Sequence, residues 1–146
     1  MKSFKYYLEM DNKSRAALIP IYFDEKENKY YVMLMKPSDP AYGGSDFQFC
    51  KGQIDPGENA LQTAIREAKE ELGIKIKNAE DVKLLWDNKN YNMKYYFVIV
   101  DSKKQNYTPH FETSAVVWWD LDKAEKDMRD WQRKVIPMIK RRLGIK

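Results

Sequence analysis

The chain has 146 residues, 43% of them hydrophobic and 33% charged, with a formal net charge of +4, a single cysteine and a single histidine. That is too much apolar material for a disordered chain, and enough length for one domain, residues 1–146, burying about two-thirds of its unfolded surface. Cys50 alone excludes an internal disulfide framework, the opening MKSFKYYLEMDNKSR is too polar for a secretory leader, and no apolar run is long enough to span a bilayer. The expectation is a cytoplasmic protein without a membrane partner. Its modest positive charge suits an anionic ligand without requiring a nucleic acid.

In chain order, AALIPIYF (16–23) and YYVMLM (30–35) are rich in strand formers and are joined by the polar DEKENK, the pattern of a hairpin. KPSDPAYGGSD (36–46) carries two Pro and two Gly and reads as a loop long enough to rim a site. Residues 59–72 have helical periodicity, with Asn59 placed to cap and Pro56-Gly57 forming a turn before it. DVKLLW (81–86), KYYFVIV (94–100) and AVVWWDL (115–121) read as further strands; Trp118 and Trp119, adjacent on a strand, should face opposite ways. Residues 123–143 read as a helical C-terminus that Pro137 kinks or divides. Strands, a central helix, more strands and a final helix imply an α+β fold, layered as an α/β/α sandwich with a mixed sheet. Cys50 is expected to be buried and inert.

The central helix crowds Glu67, Glu70 and Glu71 together. At about 100° per residue, with Glu67 as zero, Glu70 falls at about −60° and Glu71 at about +40°. On the same projection Leu61, Ala64, Ile65, Ala68 and Leu72 occupy roughly +60° to +160°, so an apolar face adjoins an acidic one. Such like charges repel by roughly 0.2–0.5 kcal/mol per pair, and a hard divalent cation, Mg²⁺ or Mn²⁺, would offset the repulsion. Taken alone, REAKEE suits a solvated acidic face better. Arg66, four residues before Glu70, is within reach of a charge-assisted bond that would hold one carboxylate.

The residues around the cluster change that reading. GQIDPGENALQTAIREAKEELGI (52–74) resembles the signature of the Nudix hydrolases, G x(5) E x(7) R E U x E E x G U, with U a bulky aliphatic residue. Gly52, Glu58, Arg66, Glu67, Glu70, Glu71, Gly73 and Ile74 match in register, and Ala68, small for an aliphatic slot, is the one departure. The resemblance implies an enzyme that hydrolyses a nucleoside diphosphate linked to another group, using Mg²⁺ or Mn²⁺. Glu67, Glu70 and Glu71 would ligate metal, Glu71 foremost, with a backbone carbonyl of Lys51 or Gly52 completing the shell. Arg66 and Glu58 would orient the others, and Gly52, Glu58 and Gly73 would shape the motif.

The flanks bear on the substrate. FQFCKGQIDPGE (47–58) resembles the approach to this motif in the diadenosine tetraphosphate hydrolases and their relatives, which would place Lys51 near the phosphates. HFETSAVVWWDL (110–121) resembles a segment of the same subgroup in which a loop Glu, here Glu112, precedes a strand Trp, here Trp118. Glu112 would ligate a further metal or take the proton from the attacking water, with His110 as the alternative base. Tyr91 lies close to where a tyrosine marks that subgroup, and its ring could stack on adenine. The expected substrates are dinucleoside polyphosphates first, then ADP-ribose, FAD or nucleoside triphosphates. The alternatives are an RNA 5′ end, with the basic C-terminal helix on its phosphates, or a non-catalytic nucleotide sensor. The sequence leaves the oligomeric state, monomer or homodimer, open.

Overall fold

The first strand pair explains how one sheet can be covered on both sides. In RAALIPIYFD every residue from Ala16 to Ile21 is buried, which a strand achieves only when both of its faces are packed. The computed structural model describes residues 13–37, 47–103, 113–128 and 132–145. Among these, six strands form one mixed sheet: β1 (Arg15–Asp24), β2 (Lys29–Pro37), β3 (Cys50–Gln53), β4 (Lys83–Asn88), β5 (Met93–Val100) and β6 (Thr113–Asp120). The order is β4-β5-β1-β2-β6, with β3 paired to β1 beside that path. β1 runs parallel to β5 and antiparallel to β2 and β3; β2 also pairs with β6 and β4 with β5, both antiparallel.

Period-two alternation divides the core. Ala16 and Leu18 of β1, Met33 and Met35 of β2, and Cys50 face α1 (Ala60–Leu72), meeting its Ala60, Ala64, Ala68 and Leu72. Ala17, Ile19 and Ile21 face the other way, with Phe49, Tyr95 and Phe97, against α2 (Leu121–Asp127) and α3 (Val135–Arg142). Each fully buried Leu or Ile contributes roughly 1.5–3 kcal/mol by leaving water. Helices therefore sandwich the sheet, as the order of elements implied. Trp118 packs on the α1 side and Trp119 on the opposite side, the divergence expected of strand neighbours. Cys50 is wholly buried and its thiol donates to the Leu18 carbonyl at 3.2 Å; burial pushes that thiol well above its usual range.

α1 has defined ends. The Asn59 side chain accepts from the Gln62 amide at 2.8 Å while the Gln62 side chain accepts from the Asn59 amide at 2.9 Å, a reciprocal capping box. Gly73 closes the helix at φ +70°, the left-handed conformation for which glycine is suited. Ala68, the small residue in the aliphatic slot, is completely buried against the sheet, where its size permits close approach.

Several boundaries differ from the sequence expectation, among them Leu121, which opens α2 rather than closing β6. Lys36 and Pro37 belong to β2, since β6 supplies pairing partners as far as Pro37; residues 38–46 lie outside the described residues. β3 is a four-residue strand that carries no alternation of its own and exists through its pairing with β1. β4 begins at Lys83, two residues later than expected, because Ala79–Asp81 form a 3₁₀ turn closed by the Val82 amide on the Ala79 carbonyl. The C-terminal segment is two helices, and Pro137 is not the cause: it is the third residue of α3, where no intrahelical acceptor is needed. The break lies at Met128, which is extended, buried and bridged to Phe47, while the Arg133 side chain donates to the Met128 carbonyl at 2.8 Å.

Gln132, in the α2–α3 connection, ties that segment to β3. Its side-chain carbonyl accepts from the buried Phe49 amide at 2.7 Å, and its own buried NH₂ has no partner among the described residues. Gln132→Leu strands the Phe49 amide but also removes the orphan NH₂, so the expected net loss is about 1–2 kcal/mol. Urea unfolding checks this: an unchanged midpoint would show that the bond does not anchor β3.

Candidate active site

β3 and α1 build the first half of the site. Gly52 pairs with Ala16 and therefore faces α1, where a Cβ would collide with the Glu67 Cδ and Oε1 atoms. The absent side chain is what lets the Glu67 carboxylate lie against the strand. One residue earlier, the Lys51 backbone N–H donates to Glu71 Oε2 at 3.0 Å. Glu71 is only 8% exposed, at the edge between the apolar and acidic faces of α1. The helix is thus fastened to β3 by its carboxylates as well as by its apolar face.

Arg66 occupies the centre of the acidic face. Its Nε and Nη2 donate to the two oxygens of Glu58 at 2.9 and 3.1 Å, a bidentate pair. Nη1 donates to Glu67 Oε1 at 3.0 Å and to Glu70 Oε2 at 3.2 Å. Nη2 also lies 3.2 Å from Asp55 Oδ2 and donates to the Gln53 carbonyl at 3.4 Å. Glu58 accepts in addition from the Thr63 hydroxyl at 2.9 Å and the Asp55 amide at 3.2 Å. The Arg66 bond, ahead of these two, lowers the Glu58 carboxyl to about 2. Glu58 therefore stays ionised at any ordinary pH, as a permanent partner for Arg66.

The structure brings together Gly52, Glu58, Arg66, Glu67, Glu70 and Glu71. Among the described residues no three acidic, His or Cys side chains converge as a ready metal cage. Glu67 and Glu70 are turned onto Arg66, and Glu71 onto the Lys51 amide. Glu112 and His110 lie outside the described residues. Asp55 and Thr63, which complete the Arg66–Glu58 network, stand at variable positions of the motif and carry no signal of their own in the sequence.

The second half of the site lies across β1. Lys51 pairs with Ala17, and Arg15 with Gln53, so both side chains emerge on the face opposite α1. There a cavity of about 470 Å³ opens between the sheet and α3, lined by Arg15, Trp86, Tyr91, Tyr95, Lys134 and Met138 among others. Tyr91, 62% exposed, stands at its rim in the β4–β5 turn. The Trp86 and Tyr95 rings stack at 5.5 Å and 12° to form an aromatic wall. The Arg15 amide donates to the Asn92 carbonyl at 2.8 Å and the Ile54 amide to the Ser14 carbonyl at 3.0 Å. The start of β1 therefore joins the Tyr91 turn to the end of β3, across two strand spacings or about 10 Å. Spacing in the sequence pointed to Tyr91 alone; Trp86, Arg15, Lys134 and Met138 reach the cavity from separate elements.

A family model of the NUDIX domain matches residues 12–139. No curated protein sequence matches significantly. Among solved structures, a C. elegans Ap4A hydrolase in a binary complex is similar with a TM-score of 0.71 and 22% identity, over 90% of this chain and 98% of that one. The NUDIX domain of Shewanella oneidensis NrtR, complexed with ADP ribose, gives a TM-score of 0.69 and 15% identity over 98% and 99% of the two chains. An E. coli dihydroneopterin triphosphate pyrophosphohydrolase gives 0.62 and 22%, over 84% and 91%. At these identities the structural likeness is one of fold, while the family model spans most of the chain and includes the whole carboxylate motif. The chain belongs to the Nudix family, as an enzyme acting on phosphorus-containing anhydrides.

Proposed function

We propose that the chain hydrolyses a pyrophosphate bond in a nucleoside diphosphate linked to a second group. Dinucleoside polyphosphates are the first candidates; ADP-ribose, FAD and nucleoside triphosphates follow. The observation that carries this reading is that β1 has a carboxylate-bearing helix packed on one face and, at its start, a cavity walled by aromatic rings on the other. A base stacked at Tyr91 and Trp86 would send its phosphates past Arg15 toward Lys51 and the acidic helix. Such stacking contributes roughly 1–3 kcal/mol per base in nucleic-acid complexes and tolerates different bases, which fits a family of related nucleotides. Likeness to an Ap4A hydrolase and to a domain complexed with ADP ribose supports the same substrate class.

The donor set suits a hard divalent cation, Mg²⁺ or Mn²⁺: three carboxylates on one helix beside a backbone turn, with Glu67 seated at Gly52 in the space a Cβ would fill. Glu67, Glu70 and Glu71 would hold it, with the Lys51 or Gly52 carbonyl, and it would supply charge neutralisation and polarisation of a phosphoryl oxygen. The remaining roles fall to the chain. Arg66, fixed by Glu58, positions Glu67 and Glu70 until they are needed. Lys51 and Arg15 attract the phosphates. Glu112 takes the proton from the attacking water, with His110 as the alternative base. A panel of Ap4A, ADP-ribose, FAD, nucleoside triphosphates and 5′-triphosphorylated RNA, incubated with Mg²⁺ or Mn²⁺ and resolved by chromatography, tests the reading. Turnover of none would overturn it.

Glu71→Gln keeps an acceptor for the Lys51 amide but removes the charge. It should fold normally and lose at least about 10³-fold in kcat, since phosphoryl transfer depends on electrostatic stabilisation. Near wild-type turnover at saturating Mg²⁺ would refute the role of Glu71.

Gly52→Ala pushes aside only the flexible end of Glu67. The melting temperature should stay within a few degrees of wild type while kcat falls about 10²-fold, the usual cost of a roughly 1 Å misplacement. If the variant unfolds, or works as well as wild type, Gly52 does not act by seating Glu67.

Tyr91→Ala should raise KM for Ap4A by roughly 5- to 100-fold and leave kcat nearly unchanged, because stacking binds ground state and transition state alike. Tyr91→Phe, which retains the ring, should be almost silent. Equal losses in both variants would point to the hydroxyl instead.

A further inference from the structure

Beyond Trp86 and Met138 a second cavity, of about 390 Å³, is lined by Leu85, Arg141 and Arg142. Trp86 and Met138 line both cavities, so the two are neighbours with a shared wall. The helix explains the alignment: Lys134, Met138 and Arg142 follow at four-residue spacing, with Arg141 beside them, forming one stripe about 12 Å long. The stripe carries cations at both ends and methionine in the middle.

Three features set Arg141 and Arg142 apart from an ordinary solvated basic helix end. Their neighbour Lys140 is engaged by Asp122 at 3.1 Å, whereas among the described residues neither arginine has a carboxylate partner. The Arg142 guanidinium is held over the Phe97 ring at 5.5 Å, beside the sheet. Both arginines, exposed to solvent, border an open, shallow depression whose other wall is apolar, Leu85 and Trp86, so an anion there would meet both guanidinium groups.

We infer that this second cavity is a subsite for a further phosphate on the substrate, carried at the ribose 2′ or 3′ position of the nucleotide whose base occupies the first cavity. The inference rests on the proposed base cavity at Tyr91 and Trp86. The 5′-phosphates of that nucleotide leave toward Arg15 and α1, so a phosphate on the opposite side of the nucleoside must be attached elsewhere, and ribose hydroxyls are where nucleotides carry one. Guanidinium forks suit a phosphate better than lysine does, since each can donate two parallel bonds. The same chemistry is presented by a small ribose-phosphorylated nucleotide and by the first phosphodiester of an RNA 5′ end.

Binding to the full chain, followed by calorimetry in low salt, tests the subsite without turnover. Adenosine 3′,5′-bisphosphate or adenosine 2′,5′-bisphosphate should bind roughly 10- to 100-fold more tightly than AMP, the range for hydrogen bonds to a charged group. Arg141→Ala/Arg142→Ala should abolish that advantage and leave AMP affinity unchanged. Arg141→Ala alone, which preserves the Phe97 contact, should lose part of it; Lys140→Ala should keep it all. A 5′-phosphorylated adenosine dinucleotide separates the two sources: an equal advantage assigns the subsite to RNA 5′ ends, and none assigns it to phosphomonoesters. Equal affinity for AMP and both bisphosphates and the dinucleotide, or an advantage that survives the double substitution, overturns the subsite while leaving the base cavity intact. Binding of no ligand overturns both.

Discussion

The Arg66 guanidinium is the contact on which the site's geometry depends. Four carboxylates, Asp55, Glu58, Glu67 and Glu70, and the Gln53 carbonyl converge on it from the loop after β3 and from α1. Arginine can do this because its five N–H groups lie in one plane, whereas a lysine would supply a point charge without fixed directions. The loop is fastened to the helix through Glu58, and the helix carboxylates are held in defined orientations through Glu67 and Glu70. Exposed ion pairs are ordinarily weak, and Glu70 is half-exposed, so the network is better understood as a device for orientation than as a source of stability.

Gly52 and Glu71 complete the junction from the strand side. With Glu67 lying where a Cβ would be and the Lys51 amide bonded to Glu71, the spacing between β3 and α1 is set by polar atoms. Apolar packing of Ala64 and Ala68 then holds that spacing, because small side chains allow the helix backbone close to the sheet. A larger residue at 68 would lift the helix and with it both carboxylates, so the mild departure from the family signature is consistent with the tight junction seen here.

The acidic helix was legible in the sequence because its geometry is local. Spacings of three and four residues fix which side chains share a face, and Asn59 and Gly73 mark the ends in their own residue types. The aromatic cavity was not legible in the same way. Arg15, Trp86, Tyr95 and Met138 belong to β1, β4, β5 and α3, and only the sheet order brings them together. β3 escaped notice because four residues cannot show a period, and Gln132 because a buried glutamine has no sequence mark distinguishing it from a surface one. The break between α2 and α3 falls at Met128 and not at Pro137 for a related reason: Pro137 is a local signal, whereas Met128 makes a tertiary contact with Phe47.

Charge is segregated across β1 in a way that bears on the proposed reaction. On the α1 face, one Arg66 cation stands against Asp55, Glu58, Glu67 and Glu70, so the cluster remains negative and would repel a polyphosphate. On the other face, Arg15 and Lys134 line the cavity, and Lys51 belongs to the same face by its pairing with Ala17. On the proposed reading a nucleotide would be drawn to one face by cations, while its reacting phosphates would approach carboxylates on the other. A divalent ion resolves that conflict on the proposed reading, since it satisfies the carboxylates and presents positive charge to the phosphates. The proposed reading thus puts binding and chemistry on opposite faces of one strand, with Arg15 and Gln53, paired across β1 and β3, at the crossing.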